Sequence, residues 1–380
     1  MTLNQPADAF RFEPNSSIKN TLSRFASDSS RVTLSLFDKR LSFAIDEDGC
    51  KVLTTQQVER CVGHSSEPIN FGIEARLAKA LYPLFPDPIN AHFESDCLHV
   101  WRGNTSCRWP TTPAKPHSAP VLGDHISEQV ISLSQVKAAL AYCLPFSKKT
   151  HRQPIESVVH FQGDAVVTGK DFWGAAIVKF LGGPATPSFC LEAKNAVRLR
   201  DALNSMTGQV KLTTGAEWLL VADSTTSVWL PTVKSSFPPA AKLLNLAPQA
   251  RVHVKANDFA KALRVYSTLI RPHRPQERAT VALEFAATRP NKISVKVYND
   301  VSPSVGQATD SWSVASTADL GNWKARVDLE SLCCASAFAE TGTLSMTPIK
   351  DRRMFYIEQS GPDLDAYAIL VEPAAVVGSR

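Results

Sequence analysis

No run of the chain approaches the roughly 18 consecutive apolar residues that a membrane-crossing helix requires, so no membrane partner is expected. The opening segment, MTLNQPADAFRFEP, lacks the basic-then-apolar pattern of a secretory signal, and a cytoplasmic location is expected. The eight cysteines contain no C-x-x-C spacing, and the only adjacent pair, Cys333-Cys334, sits in a helix-like run. That pattern fits reduced, buried thiols rather than a disulfide framework. The nine histidines are dispersed, with no H-x-x-x-H or H-E-x-x-H run. His92 and His99 lie on candidate strands and read as packing or surface residues rather than ligands. No metal and no cofactor is expected. Charge of one sign is also scarce: the formal net charge is +5, which permits a polyanionic partner without demanding one.

Enzyme signatures are missing too. Gly163-Asp-Ala-Val-Val-Thr-Gly-Lys-Asp171 has one residue too many between its glycines for a phosphate-binding loop, and Asp171 stands where Ser or Thr should hold magnesium. Ser16-Ser-Ile-Lys19 has S-x-x-K spacing, but the companion S-D-N and K-T-G motifs are absent. It reads more simply as a helix N-cap followed by a solvated lysine. No carboxylate pair stands out. The chain is therefore read as a non-enzyme, without catalytic residues.

What is present is an internal repeat. The 380 residues, 44% of them hydrophobic, suffice for two or three domains with ordinary cores. At a period of roughly 120 residues the segments Phe71–Leu81, Phe189–Leu199 and Ala325–Ala335 match. In each, an acidic residue (Glu74, Glu192, Asp328) opens a helical pattern, where the helix dipole favours negative charge. Period-two stretches follow each helix and read as β-hairpins: 90–93 with 97–101, 210–212 with 218–222, and 343–346 with 354–357. A second kind of unit precedes each of these. Its helices are expected at Ser16–Ala26, Ser132–Leu144 and Asn257–Leu269. Its strands are expected at 32–36 and 41–45, 157–161 and 165–167, and 280–285 and 293–298. The expectation is three domains of two helix-plus-sheet halves, 1–122, 123–246 and 247–380. The proline-rich stretch 109–120 reads as a linker. After each first-half helix comes a basic loop: Arg24 and Arg31; Lys148, Lys149 and Arg152; Arg271, Arg274 and Arg278. Equivalent basic loops in three repeats are the footprint of sequence-independent phosphate contact.

With these residues in view, the chain resembles the bacterial β sliding clamp, the DNA polymerase III β subunit that serves as a processivity factor. Four stretches carry the likeness, in the family's order. Phe71–Pro113 is similar to the close of its first domain. Val166-Val-Thr-Gly-Lys-Asp-Phe-Trp-Gly174 falls on its V-A-T-D-G-H-R-L-A motif. Ser236-Phe-Pro-Pro-Ala-Ala-Lys-Leu243 falls on its F-P-D-Y-R-R-V. Tyr367-Ala-Ile-Leu-Val-Glu-Pro373 falls on its terminal Y-V-V-M-P-M. Gly169-Lys-Asp-Phe172 replaces D-G-H-R, which marks a divergent member.

The resemblance implies an α+β fold of three tandem DNA-clamp domains, each of two helix-plus-antiparallel-sheet halves. They would form a crescent that dimerises head to tail into a ring around double-stranded DNA. It implies tethering of a DNA polymerase, opening by a clamp loader, and a pocket for extended partner peptides. That pocket would comprise Thr168, Trp173, Pro238, Lys242, Leu243, Met354, Ala368 and Leu370. The homodimer interface would use Cys107 and Trp109 on a domain-one edge strand, facing Thr268 and Leu269 at a domain-three helix end. The alternatives are a clamp-fold adaptor or decoy that binds replication proteins without closing a ring, and an enzyme whose site is not marked by any of these motifs, which would show as a deep pocket with clustered, pKa-shifted residues.

Overall fold

The structure is a computed structural model. It describes residues 9–13, 15–58, 60–61, 68–84, 88–94, 96–123, 126–147, 158–170, 174–182, 185–235, 238–245, 251–270, 279–286, 288–289, 291–299, 307–316, 322–337, 343–349 and 354–371. Its helices are α1 (Ser16–Phe25), α2 (Ala75–Leu84), α3 (Leu133–Cys143), α4 (Ala193–Ser205), α5 (Ala240–Leu244), α6 (Ala256–Leu269) and α7 (Leu329–Ser336). Leaving aside α5 and the two-residue strands Arg60–Cys61, Thr112–Pro113 and Ala315–Ser316, each helix among the described residues is preceded by one strand and followed by three antiparallel strands, so one β-α-β-β-β unit occurs six times. The three expected first-half helices match α1, α3 and α6 to within a residue or two. The three acidic residues each stand immediately before a helix. Asp328 caps α7, its Oδ2 accepting from the Ser331 backbone N–H at 2.8 Å, as a helix start requires.

The chain divides into two compact units, Met1–Leu133 with Val197–Thr232, and Ser134–Ala196 with Val233–Arg380. The first holds a five-stranded and a nine-stranded sheet. The five run Arg60–Cys61, Phe10–Phe12, Ile89–Phe93, Cys97–Arg102, Thr105–Pro110. The nine run Thr112–Pro113, Ile69–Glu74, Arg31–Phe37, Arg40–Glu47, Cys50–Gln57, Thr226–Pro231, Trp218–Ala222, Val210–Thr214, Ser127–Ile131. α1 and α2 cover one face, burying Ile18, Leu22 and Phe25 at helical spacing, with Ala75, Ala78 and Leu81 beside them. Each large side chain so buried contributes roughly 1.5–3 kcal/mol.

The second unit repeats the plan with a nine-stranded and a four-stranded sheet. The nine run Phe189–Glu192, Val158–Phe161, Ala165–Lys170, Gly174–Phe180, Leu364–Val371, Met354–Ser360, Thr343–Ile349, Val252–Lys255, Ala315–Ser316. The four run Gln307–Ser313, Lys292–Asn299, Ala279–Phe285, Trp323–Asp328. Here α6 packs against α7, and Phe259 and Leu263 of the one and Leu332 and Ala335 of the other are buried.

Both nine-stranded sheets are made in the same way. The last strand of one β-α-β-β-β unit joins the last strand of another that is remote in sequence. Cys50–Gln57 pairs with Thr226–Pro231, and Gly174–Phe180 with Leu364–Val371. Among the described residues, two last strands are left as sheet edges, Thr105–Pro110 and Gln307–Ser313. The proline-rich stretch expected to be a linker is partly strand: Trp109 and Pro110 belong to one edge, and Thr112–Pro113 extends the neighbouring sheet.

Candidate functional site

In the second unit, α5 lies on the sheet face opposite the one that faces the long helices. Its Ala240 joins Ala165, Val167, Ile177, Tyr356 and Ile369 in one buried apolar cluster. Leu243, Leu244, Ile349, Met354 and Tyr367 pack on the cluster while staying partly exposed. An apolar floor with a half-open apolar rim is the form of a small-ligand or peptide groove.

Gln162 anchors α5. Its Oε1 accepts from the Ala240 backbone N–H at 2.8 Å, and its Nε2 donates to the Pro238 carbonyl at 3.3 Å. The side chain thus replaces the cap that Pro239, at the N-cap position without a side-chain cap, does not provide. His160 Nδ1 lies 3.2 Å from Gln162 Nε2, and burial lowers the His160 pKa. Gly174 permits the strand junction under the groove. Its φ is +150°, and a Cβ there would stand 2.0 Å from the Ile369 carbonyl oxygen. Only glycine allows that approach.

Polar groups ring the cluster. Arg251 pairs with Glu358, and its guanidinium lies 6.0 Å from the Tyr356 ring centroid. The Tyr367 hydroxyl donates to Asp365 Oδ2 at 3.2 Å. The Tyr356 hydroxyl is buried without a partner among the described residues, and burial pushes its pKa up to about 12.

The expected pocket residues divide by sheet face. Pro238 and Lys242 are exposed on and before α5, and Leu243 and Met354 border the cluster. Thr168, Ala368 and Leu370 do not. They are fully buried, and they alternate with Val167 and Ile369 along continuously paired strands, so they face the other side of the sheet. Thr168 donates to the Val158 carbonyl at 2.8 Å. Trp173 lies outside the described residues. Thr168, Ala368 and Leu370 thus share strands with the cluster but not its face, and Val167, Ile177, Tyr356, Tyr367 and Ile369, which form the cluster, were not among the expected residues. The signal was available: the apolar residues of period-two partners were in plain view, but nothing local says which face α5 covers.

Lys148, Lys149, Arg152, Arg271, Arg274 and Arg278 also lie outside the described residues. Arg24 lies in the last turn of α1, its Nη1 3.8 Å from Asp201 Oδ1. Arg31 is exposed, with Nη1 3.3 Å from Thr112 Oγ1. The sequence reading missed the charge of the helices themselves. They carry Lys19, Arg24, Arg76, Lys79, Lys137, Lys194, Arg198, Arg200, Lys242, Lys261 and Arg264, against Asp201, Asp258 and Glu330. Several pair with strand or loop carboxylates, such as Lys79 with Asp28 and Arg198 with Asp48. Such surface pairs are worth little and exchange readily.

At the expected dimer surface, Trp109 is buried within its own unit and Cys107 is half-buried. Leu269 is 68% exposed and Val265, one helical turn earlier, 56%; Thr268 is exposed beside them.

A shallow depression lined by His160, Ser188, Phe189, Cys190 and Lys234 brings a thiol near an imidazole. Burial pushes the Cys190 thiol up to about 11, the reverse of what a nucleophile needs.

The six-fold β-α-β-β-β plan decides the comparison with known proteins. The fold is that of the bacterial β sliding clamp. The DNA polymerase III β subunit of Pseudomonas aeruginosa superposes with a TM-score of 0.77 at 14% identity, over 96% of this chain and 100% of that one. That of Caulobacter crescentus gives 0.75 at 14%, over 96% and 100%. That of Thermotoga maritima gives 0.74 at 14%, over 96% and 100%. A further Pseudomonas aeruginosa clamp, with griselimycin bound, gives 0.78 at 14%, over 97% and 100%. No family model and no curated protein matches the sequence. No helix among the described residues is long and apolar enough to cross a membrane.

Proposed function

We propose that the chain is a DNA sliding clamp, a non-enzymatic cytoplasmic ring of two copies that encircles duplex DNA and tethers a polymerase. Its three tandem domains would be 1–122, 123–246 and 247–380. The observation that carries the reading is the repeated sheet junction. Twice within the chain a last strand meets a last strand. The two last strands left over, Thr105–Pro110 and Gln307–Ser313, end a five- and a four-stranded sheet. Joined head to tail between two copies, they make a third nine-stranded sheet of the same composition and close the ring. Strands of that length at a sheet edge need a partner or protection. Val265 and Leu269 supply an apolar contact beside the joint, while Trp109, already buried, supports its strand from within.

The basic helices then serve phosphate contact without base readout. A closed ring holds DNA by topology, so those contacts can stay weak, and a clamp loader must open it. The α5 groove takes an extended apolar peptide segment of a polymerase or other partner. Tethering raises the partner's effective concentration at the DNA.

The test is retention. Loaded on circular DNA, the protein stays bound at high salt and leaves once the DNA is linearised. Equal release from both forms sinks the proposal. Mass in solution checks the ring: a species near twice 41.5 kDa is expected. A stable monomer favours the adaptor reading instead.

A further inference from the structure

On the outward face of the hairpin Ile89–Phe93/Cys97–Arg102, three potential ligands converge. His92 and His99 pair directly across the hairpin, their ring centroids 5.1 Å apart at 77°. Glu94 follows two residues after His92, on the same face. One donor atom from each of His92, Glu94 and His99 lies within 4.8 Å of the others. His92 Nε2 is 3.2 Å from Glu94 Oε1, and His92 Nδ1 is buried with no partner among the described residues. Cys97 donates from Sγ to Glu94 Oε2 at 3.0 Å, which fixes the carboxylate. Trp101 flanks both imidazoles, with centroids at 5.5 and 5.1 Å.

We propose that His92, Glu94 and His99 form a binding site for a divalent transition metal ion of the zinc type, with Cys97 positioning Glu94. Two imidazole nitrogens and a carboxylate oxygen are a set that zinc accepts in tetrahedral geometry, leaving one position for solvent or a further ligand. Hard cations such as magnesium or calcium prefer all-oxygen sites. Donors this close need only a small inward turn to meet a common ion. The competing contact is Arg108, whose Nη2 is 3.4 Å from Glu94 Oε1. Its side chain is 68% exposed and can swing into solvent at little cost. An ion here would tie together the two strands that support the open edge Thr105–Pro110. The site stands whether or not the chain encircles DNA.

The experiment uses tag-free full chain, stripped of metal and titrated with Zn2+ by calorimetry and with Co2+ by visible absorption. Expected are one tight Zn2+ per chain, a tetrahedral Co2+ spectrum, and a Tm that rises with Zn2+ because only the folded hairpin presents the site. His92→Asn and His99→Asn each weaken binding by more than about 100-fold, and Cys97→Ala by about tenfold, through loss of the hydrogen bond to Glu94. Glu94→Gln, which keeps the side-chain shape, serves should a histidine variant fail the circular dichroism check. No binding by the wild type, or unchanged affinity in the folded variants, overturns the site. A strong sulfur-to-cobalt charge-transfer band overturns the assignment of Cys97 as a positioning residue.

Discussion

The two sheet junctions share one construction and differ in their outer faces. At the first, Cys50–Gln57 against Thr226–Pro231, the outward residues are Lys51, Leu53, Ser227 and Trp229. His117, in an irregular segment, lies against this face, its ring centroid 5.7 Å from that of Trp229. Buried on the inner face is a polar pair, Thr54 Oγ1 and Thr226 Oγ1 at 3.0 Å. At the second, Gly174–Phe180 against Leu364–Val371, the outward face offers Ile177, Tyr367 and Ile369, and α5 sits on it. A junction by itself therefore makes no groove. The groove needs an apolar outer row, a glycine that lets the strands close up, and a short helix that covers the row only in part.

The largest effects should come from the second junction. Leu370→Ala removes a buried inner-face side chain and should cost about 2–5 kcal/mol of stability, read as a lower denaturant midpoint, with peptide affinity in the folded fraction little changed. Leu243→Ala with Ile369→Ala should do the opposite to binding. Titrating a Q-x-x-L-F peptide by fluorescence anisotropy should show binding abolished, a loss of about 3 kcal/mol for two apolar contacts. If Leu370→Ala abolishes binding while the outer-face pair does not, the face assignment is inverted.

Gly174→Ala should follow, at about 1–3 kcal/mol, because the added Cβ collides with the Ile369 carbonyl and must displace backbone. The same exchange at Gly49, where nothing lies within 4 Å of the added carbon, meets only its positive φ and should cost less. Equal losses at the two sites would remove the close approach as the reason for glycine.

At the first junction, Thr54→Val should cost about 1 kcal/mol by leaving the Thr226 hydroxyl short of a partner, and the double change Thr54→Val with Thr226→Val should recover much of it. Urea unfolding of the double-mutant cycle measures the coupling, and additive losses would show that the pair is incidental.

The smallest effect is on pH. Burial lowers the pKa of His117 near the first junction and of His160 near the second from the ordinary 6.5. The folded state therefore favours the neutral rings. Below 6.5 the unfolded chain takes up protons first, so stability present above that value declines as pH falls through the lower folded values. His117→Gln and His160→Gln should each flatten the decline in denaturant midpoint between neutral and mildly acidic solution. An unchanged slope in both variants would assign the acid sensitivity elsewhere.

Much of the fold was legible. The helices at 16–25, 133–143 and 256–269 follow from apolar spacing, and the helix starts at Glu74, Glu192 and Asp328 from charge position. The missed strands are instructive: Cys50–Gln57 and Gln307–Ser313 mix Lys, Thr, Gln, Asp and Ser, because a joining or edge strand is chosen by its backbone partner more than by a two-sided apolar pattern. The pocket was legible as strands but not as faces. Leu370 and Ile369 are equally apolar neighbours, and only the position of α5 distinguishes them.

His92 and His99 make the same point more sharply. Seven residues apart, they have no ligand spacing of their own, and they become neighbours only because an antiparallel hairpin sets one opposite the other. The sequence by itself determined the six repeated units, because helix and strand periods and helix caps are local properties of a few neighbouring residues. Tertiary structure alone decided which last strands join, which are left open, and which face of a strand meets α5. Those choices depend on pairing between residues as distant as Thr54 and Thr226, and no local pattern carries that information.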